Sequence, residues 1–167
     1  MATHLSILLL LLTASPTYEV TYSCRSTAPC GCSSAMATVS KIVGGEPAVA
    51  SSWGWAVALT YNSNQLSCGG SILSSSWILT AAHCVKNRAA SLFTVYAGSN
   101  ILTTFRQVSG VARIYQHPDY DARTVVNDIA LLQLSSPFDM NDTTLAKICL
   151  PSFTSETYPP IDSTVNA

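Results

Sequence analysis

Two side chains in this sequence have the right chemistry for moving a proton: His83, in Thr80-Ala81-Ala82-His83-Cys84, and Asp128, in Asn127-Asp128-Ile129-Ala130-Leu131-Leu132. A histidine titrates near neutral pH, so it can take a proton from a hydroxyl nucleophile and return it to a leaving amine. Asp128 stands directly ahead of an apolar run that draws its carboxylate toward a barrel edge. A buried carboxylate without donors costs several kcal/mol, as any unpaired buried charge does, and an imidazole N–H is a fitting donor. On this segment alone a second reading stays open, in which Asp128 caps a turn through backbone N–H groups. A third block, Lys41-Ile42-Val43-Gly44-Gly45, joins a basic residue to an apolar start. Cleavage after Lys41 would free an α-ammonium on Ile42, whose pKa near about 8 lets it stay charged against a buried carboxylate.

Positioning these groups falls to short apolar runs separated by Gly, Ser, Asn and Pro. The strand candidates are Trp55 to Tyr61, Ser71 to Leu73, Trp77 to Thr80, Phe93 to Ala97, Val108 to Tyr115 and Ile129 to Leu134. They are rich in Val, Ile, Leu and aromatics, and several alternate. Only Ala81 to Val85 reads as a helical turn. This texture predicts an all-β barrel or sandwich. His83 then follows the strand ending at Thr80, at the rim, where Cys84 could brace the turn by bridging to Cys68. Six cysteines (24, 30, 32, 68, 84 and 149) suit an oxidising compartment, and spacing alone cannot choose among their 15 pairings.

Composition narrows the partners. The 167 residues are 10% charged, with 8 Lys+Arg against 9 Asp+Glu and a net charge of -1. No basic patch is offered to nucleic acid or to an anionic membrane. Leu5 to Leu12 form an apolar run too short to span a bilayer but suited to a signal peptide, with small and polar residues following. The signal is assigned to residues 1–17, with its cut between 14 and 22, and a secreted, extracellular protein follows. Residues 18–41, small, polar and cysteine-bearing, read as a pro-segment. Asn141-Asp142-Thr143 is an N-glycosylation sequon, so Asn141 is a candidate acceptor. No metal and no cofactor are expected: Cys30 and Cys32 lack zinc-site spacing, and no Asp or Glu lies between Gly98 and Pro118 to bind a hard cation.

The ordered blocks at Ile42, His83 and Asp128 resemble the trypsin/chymotrypsin family of secreted serine endopeptidases. The resemblance runs from about Cys30 to Ala167 and implies one antiparallel β-barrel, the first of the two barrels of a trypsin-like fold, over residues 42–167. It implies His83 as general base, Asp128 as the residue orienting it, and a zymogen activated by a protease that cuts after Lys41. It also implies that Cys149 tethers the pro-segment through Cys30, with Cys32 still possible and Cys24 pairing locally with whichever remains. A small disulfide scaffold would explain the cysteines and strands but not the three ordered blocks.

The family's Gly-Asp-Ser-Gly-Gly block, its oxyanion-hole amides and its specificity pocket have no counterpart here. Ser163 follows Asp162, but no glycine surrounds it to allow the sharp turn of an exposed nucleophile. The expectation is therefore a truncated peptidase domain, inactive alone, whose complete form would act on a protein or peptide substrate. The alternative is a secreted, non-catalytic protease-like half-domain that acts as a binding module.

Overall fold

The structure, a computed structural model, describes residues 20–22, 24, 27–39, 47–62 and 65–151. The signal segment, Lys41, Ile42 and Ser163 lie outside the described residues. Strands β1 (Val20–Tyr22) and β2 (Ala37–Val39) form a small antiparallel ribbon. Six longer strands follow: β3 (Ala56–Tyr61), β4 (Gln65–Ser74), β5 (Trp77–Thr80), β6 (Phe93–Ala97), β7 (Gln107–Gln116) and β8 (Ala130–Leu134). They close into an antiparallel barrel in the order β3-β4-β5-β8-β7-β6, with β6 pairing back onto β3. The barrel predicted from the sequence is thus observed. Closure leaves none of the six with an unpaired edge.

Alternation explains which face turns inward. In β6 and β8 every second residue is buried, placing Phe93, Val95 and Ala97 with Ala130, Leu132 and Leu134 in the lumen. Val57, Leu59, Ile72, Ile78 and Val111 fill the remaining space. Register shifts in the β3–β4, β4–β5 and β7–β8 pairings bend strands that would otherwise be too flat to close. At Gly70 a Cβ would lie 2.8 Å from the carbonyl oxygen of Leu79, so only glycine lets β4 and β5 approach this closely.

The cysteine-bearing stretch before the barrel docks on it. Gly31 donates its N–H to the Lys147 carbonyl at 2.7 Å, and Ser33 Oγ accepts from the Gly54 amide at 2.8 Å. Covalent links reinforce this: Cys30 is bonded to Cys149 and Cys24 to Cys32, while Cys68 on β4 is bonded to Cys84 in the turn after β5.

Candidate active site

Strand register brings His83 and Asp128 together. β5 and β8 run antiparallel with Thr80 opposite Ala130 and Ile78 opposite Leu132. His83 lies three residues beyond Thr80, and Asp128 two residues before Ala130, so both leave the barrel at the same end. Thr80 anchors this end, its buried hydroxyl donating to the Gly69 carbonyl at 2.8 Å. A single helical turn, α1 (Ala82–Val85), then lifts His83 onto the rim.

That turn has no cap of its own, since Ala81 at its N-cap offers no side-chain acceptor. Asp128 supplies one from across the rim. Its Oδ1 accepts the His83 backbone N–H at 2.8 Å, and its Oδ2 accepts from His83 Nδ1 at 2.7 Å. The two sequence readings of Asp128, turn cap and imidazole partner, are therefore both realised, one on each oxygen. The carboxylate side chain is 19% exposed and the imidazole 59%. With Nδ1–H given to Asp128, a neutral ring carries its lone pair on Nε2, the tautomer a general base needs; that nitrogen lies beside the Cys68 and Cys84 sulfurs, and the imidazole is open to solvent. The imidazole's hydrogen bond, then the His83 amide, hold the Asp128 carboxyl below the usual aspartate range.

The loop delivering Asp128 is built around another aspartate. Asp121 Oδ1 accepts the Arg123 amide and Oδ2 the Thr124 hydroxyl, both at 2.8 Å. Asn127 adopts a left-handed φ of 58° and donates its side-chain amide to the Asp119 carbonyl at 3.0 Å. Asparagine tolerates that conformation; Val125, at the same φ of 58°, does not. A β-branched residue there stores about 1–2 kcal/mol of strain. Its side chain is exposed, so Val125→Gly sacrifices little packing. We expect this variant to be more stable by about 0.5–1 kcal/mol, after glycine's added unfolded-state entropy, in urea unfolding. Sequence reasoning passed over Asp121, Asn127 and Thr80; an Asp two residues before a polar Arg-Thr pair is the turn signal that marks Asp121. Tyr120 packs beside this loop, and burial, then the Asp128 and Asp121 carboxylates, raise its phenol.

Three carboxyls share one behaviour. Asp121, Asp128 and Asp142 are all lowered, chiefly by hydrogen bonds from Arg123, His83 and Thr144. Groups lowered in the folded state bind more protons when unfolded, so stability rises with pH through that interval. Their contribution is complete above the unfolded value of about 3.9 and disappears as pH falls through the folded values. The urea midpoint should be level from about pH 5 to 6 and drop steadily below about pH 4. A midpoint unchanged down to about pH 2 would contradict these bonds.

The remaining candidates are placed as follows. Asn141 is exposed in the turn after β8, its side chain donating to Asp139 Oδ1 at 3.0 Å. Cys84 Sγ lies 3.4 Å from His83 Nε2, and Cys68 Sγ 4.0 Å from it. All six cysteines are paired and none is free. Among the described residues, no helix is long and apolar enough to cross a membrane.

An antiparallel six-stranded barrel with an imidazole–carboxylate pair at one end defines the class: a trypsin-like protease fold. The chain belongs to the trypsin family, whose profile, described as Trypsin, matches residues 42–166. Trypsin alpha of Drosophila melanogaster is 44% identical over 96 residues, as is that of Drosophila erecta, the match covering 58% of this chain and 37% of each relative. The chain thus spans well under half the length of these curated relatives. A solved structure, the scabies mite inactivated protease paralogue S-D1, superposes with a TM-score of 0.55 at 33% identity. That superposition covers 59% of this chain and 41% of the other.

Proposed function

We propose that this barrel is the base-bearing half of a secreted trypsin-like serine endopeptidase. The observation that carries the reading is the paired grip of Asp128 on His83, through Nδ1 and through the backbone amide. In peptide hydrolysis Nε2 would take the proton of a serine hydroxyl as it attacks the scissile carbonyl. The imidazolium so formed is stabilised by Asp128 and returns the proton to the leaving amine. These roles are those of the general triad template, which was itself worked out on this family.

In the sequence no serine has a glycine on both sides. By itself, on this proposal, the chain does not turn over peptides, and a serine-directed fluorophosphonate probe leaves it unlabelled. Labelling at any serine would overturn the assignment of a missing nucleophile. Activation proceeds by cleavage after Lys41, with the severed segment retained by Cys30–Cys149. Secretion accords with the three disulfides, which persist in oxidising compartments.

A second reading, a protease-like half-domain that binds a protein partner, has its own support. Tyr115, Val126 and Ile129 are about half exposed near the rim. The solved relative, moreover, is named an inactivated paralogue. Peptide hydrolysis by the chain once joined to a nucleophile-bearing half, and its loss in the Asp128→Asn variant, would favour the peptidase half. Retention of a partner by both would favour the binding module.

A further inference from the structure

Asn141-Asp142-Thr143 is the one Asn-x-Ser/Thr triplet in the sequence, and the chemistry assigned to the rim makes no use of it. The structure puts Asn141 at the tip of a tight turn. Asp142 closes that turn by donating its N–H to the Asp139 carbonyl at 3.2 Å, and Asp139 Oδ1 accepts the Asn141 backbone N–H at 3.0 Å. Asn141 and Thr143 are both exposed, whereas Asp142 between them is half-buried. The Asp142 carboxylate is bound on the protein side: Oδ1 accepts the Thr144 hydroxyl at 2.7 Å, and Oδ2 the Gln107 side-chain amide at 3.2 Å. The two residues that define the acceptor therefore face water, and the charge between them is engaged elsewhere.

This turn stands at the end of the barrel away from His83. Gln107, which opens β7, holds it by donating to the Asp139 carbonyl at 3.0 Å and accepting the Asp139 N–H at 2.8 Å. β7 then runs 10 residues, about 30 Å of strand, to Gln116, which pairs with Ala130 beside the Asp128 loop.

We propose that Asn141 carries an N-linked oligosaccharide, at the barrel end opposite the His83–Asp128 pair. Its presence rests on the secreted reading of the chain, which the three disulfides favour. In the transfer, Asn141 Nδ2 attacks the anomeric carbon of a sugar carried on a lipid diphosphate. A C–N bond forms, the bond from sugar to diphosphate oxygen breaks, and the lipid diphosphate leaves with the electron pair. One amide proton is released. The other stays on Nδ2 and can keep the 3.0 Å bond to Asp139 Oδ1, so the turn need not rearrange. The glycan, bulky and hydrated, holds this end in solvent. That leaves the opposite rim, with Tyr115, Val126 and Ile129 exposed, as the face open to a protein partner.

The test expresses the full chain in cultured mammalian cells, once behind its own N-terminal segment and once behind an unrelated secretion leader. Peptide N-glycosidase should speed its migration on a reducing gel and convert Asn141 alone to aspartate, read by tandem mass spectrometry. Asn141→Gln and Thr143→Ala should each abolish the gel shift, and Thr143→Ser should retain it at least in part. Chain that reaches the medium behind the unrelated leader with Asn141 bare overturns the proposal, as does a glycan that survives in Thr143→Ala. Chain kept inside the cell and bare behind its own N-terminal segment, but glycosylated at Asn141 behind the unrelated leader, contradicts the secreted reading instead and upholds Asn141 as the acceptor.

Discussion

Asp128→Asn is expected to lower peptide hydrolysis by about four orders of magnitude in any form of this protein joined to a nucleophile. The size of that effect is the one known for the same exchange in the reference triad of serine proteases, a member of this family. Its direction follows from the contacts at the rim. Asparagine keeps an oxygen for the His83 amide, so α1 stays capped. Its NH₂ group, however, now faces Nδ1 where a carboxylate oxygen accepted a proton. Two donors cannot share that contact, so the imidazole proton moves to Nε2 and that nitrogen can no longer accept one. The rate constant of acylation should collapse while substrate affinity changes little. A KM rise with kcat unchanged would mean that Asp128 serves only to shape the turn.

Leu132→Ala should cost about 2–5 kcal/mol, a large share of the about 5–15 kcal/mol typical of a folded domain. Leu132 is fully buried, and it pairs with Ile78 on the strand leading to His83 and with Ile114 on the other side. Removing it opens a cavity between the two strands whose register sets the His83–Asp128 distance. Urea unfolding should report the loss in full. The contrast with Val125→Gly, which touches the Asp128 loop from the solvent side, separates barrel packing from loop strain.

How far the sequence reveals this molecule depends on whether each strand has one apolar face. β3, β5, β6, β7 and β8 were legible to within a few residues, because each alternates or carries a dense apolar run. Of β4 only Ser71–Leu73 was legible, since Gln65 to Gly70 is mostly polar or glycine and is exposed or half-exposed throughout. It is a strand because its backbone must bridge β3 and β5, a tertiary demand with no local signature. The β1–β2 ribbon was hidden for the same reason, in a stretch with little to bury.

At the site, the types and order of His83 and Asp128 were readable. Their contact came from the family resemblance, because 45 residues separate them. Each role of Asp128 was readable as an alternative, but the combination of the two was not. It arises because Ala81 leaves α1 uncapped, which only the packed rim reveals. The Asx turn at Asp121 and the left-handed Asn127 that deliver the carboxylate are ordinary turn chemistry, invisible as functional parts until the loop is seen.

On the proposed reading Asp128 fixes which nitrogen of His83 carries the proton, and every step assigned to the imidazole depends on that choice. Imidazole ¹⁵N NMR of the unaltered, oxidised chain above the titration of the ring tests it most directly. The expected spectrum shows a protonated Nδ1, its proton shifted far downfield by the carboxylate, and an unprotonated Nε2. A ring protonated at Nε2, or one exchanging freely between tautomers, would contradict this role for Asp128.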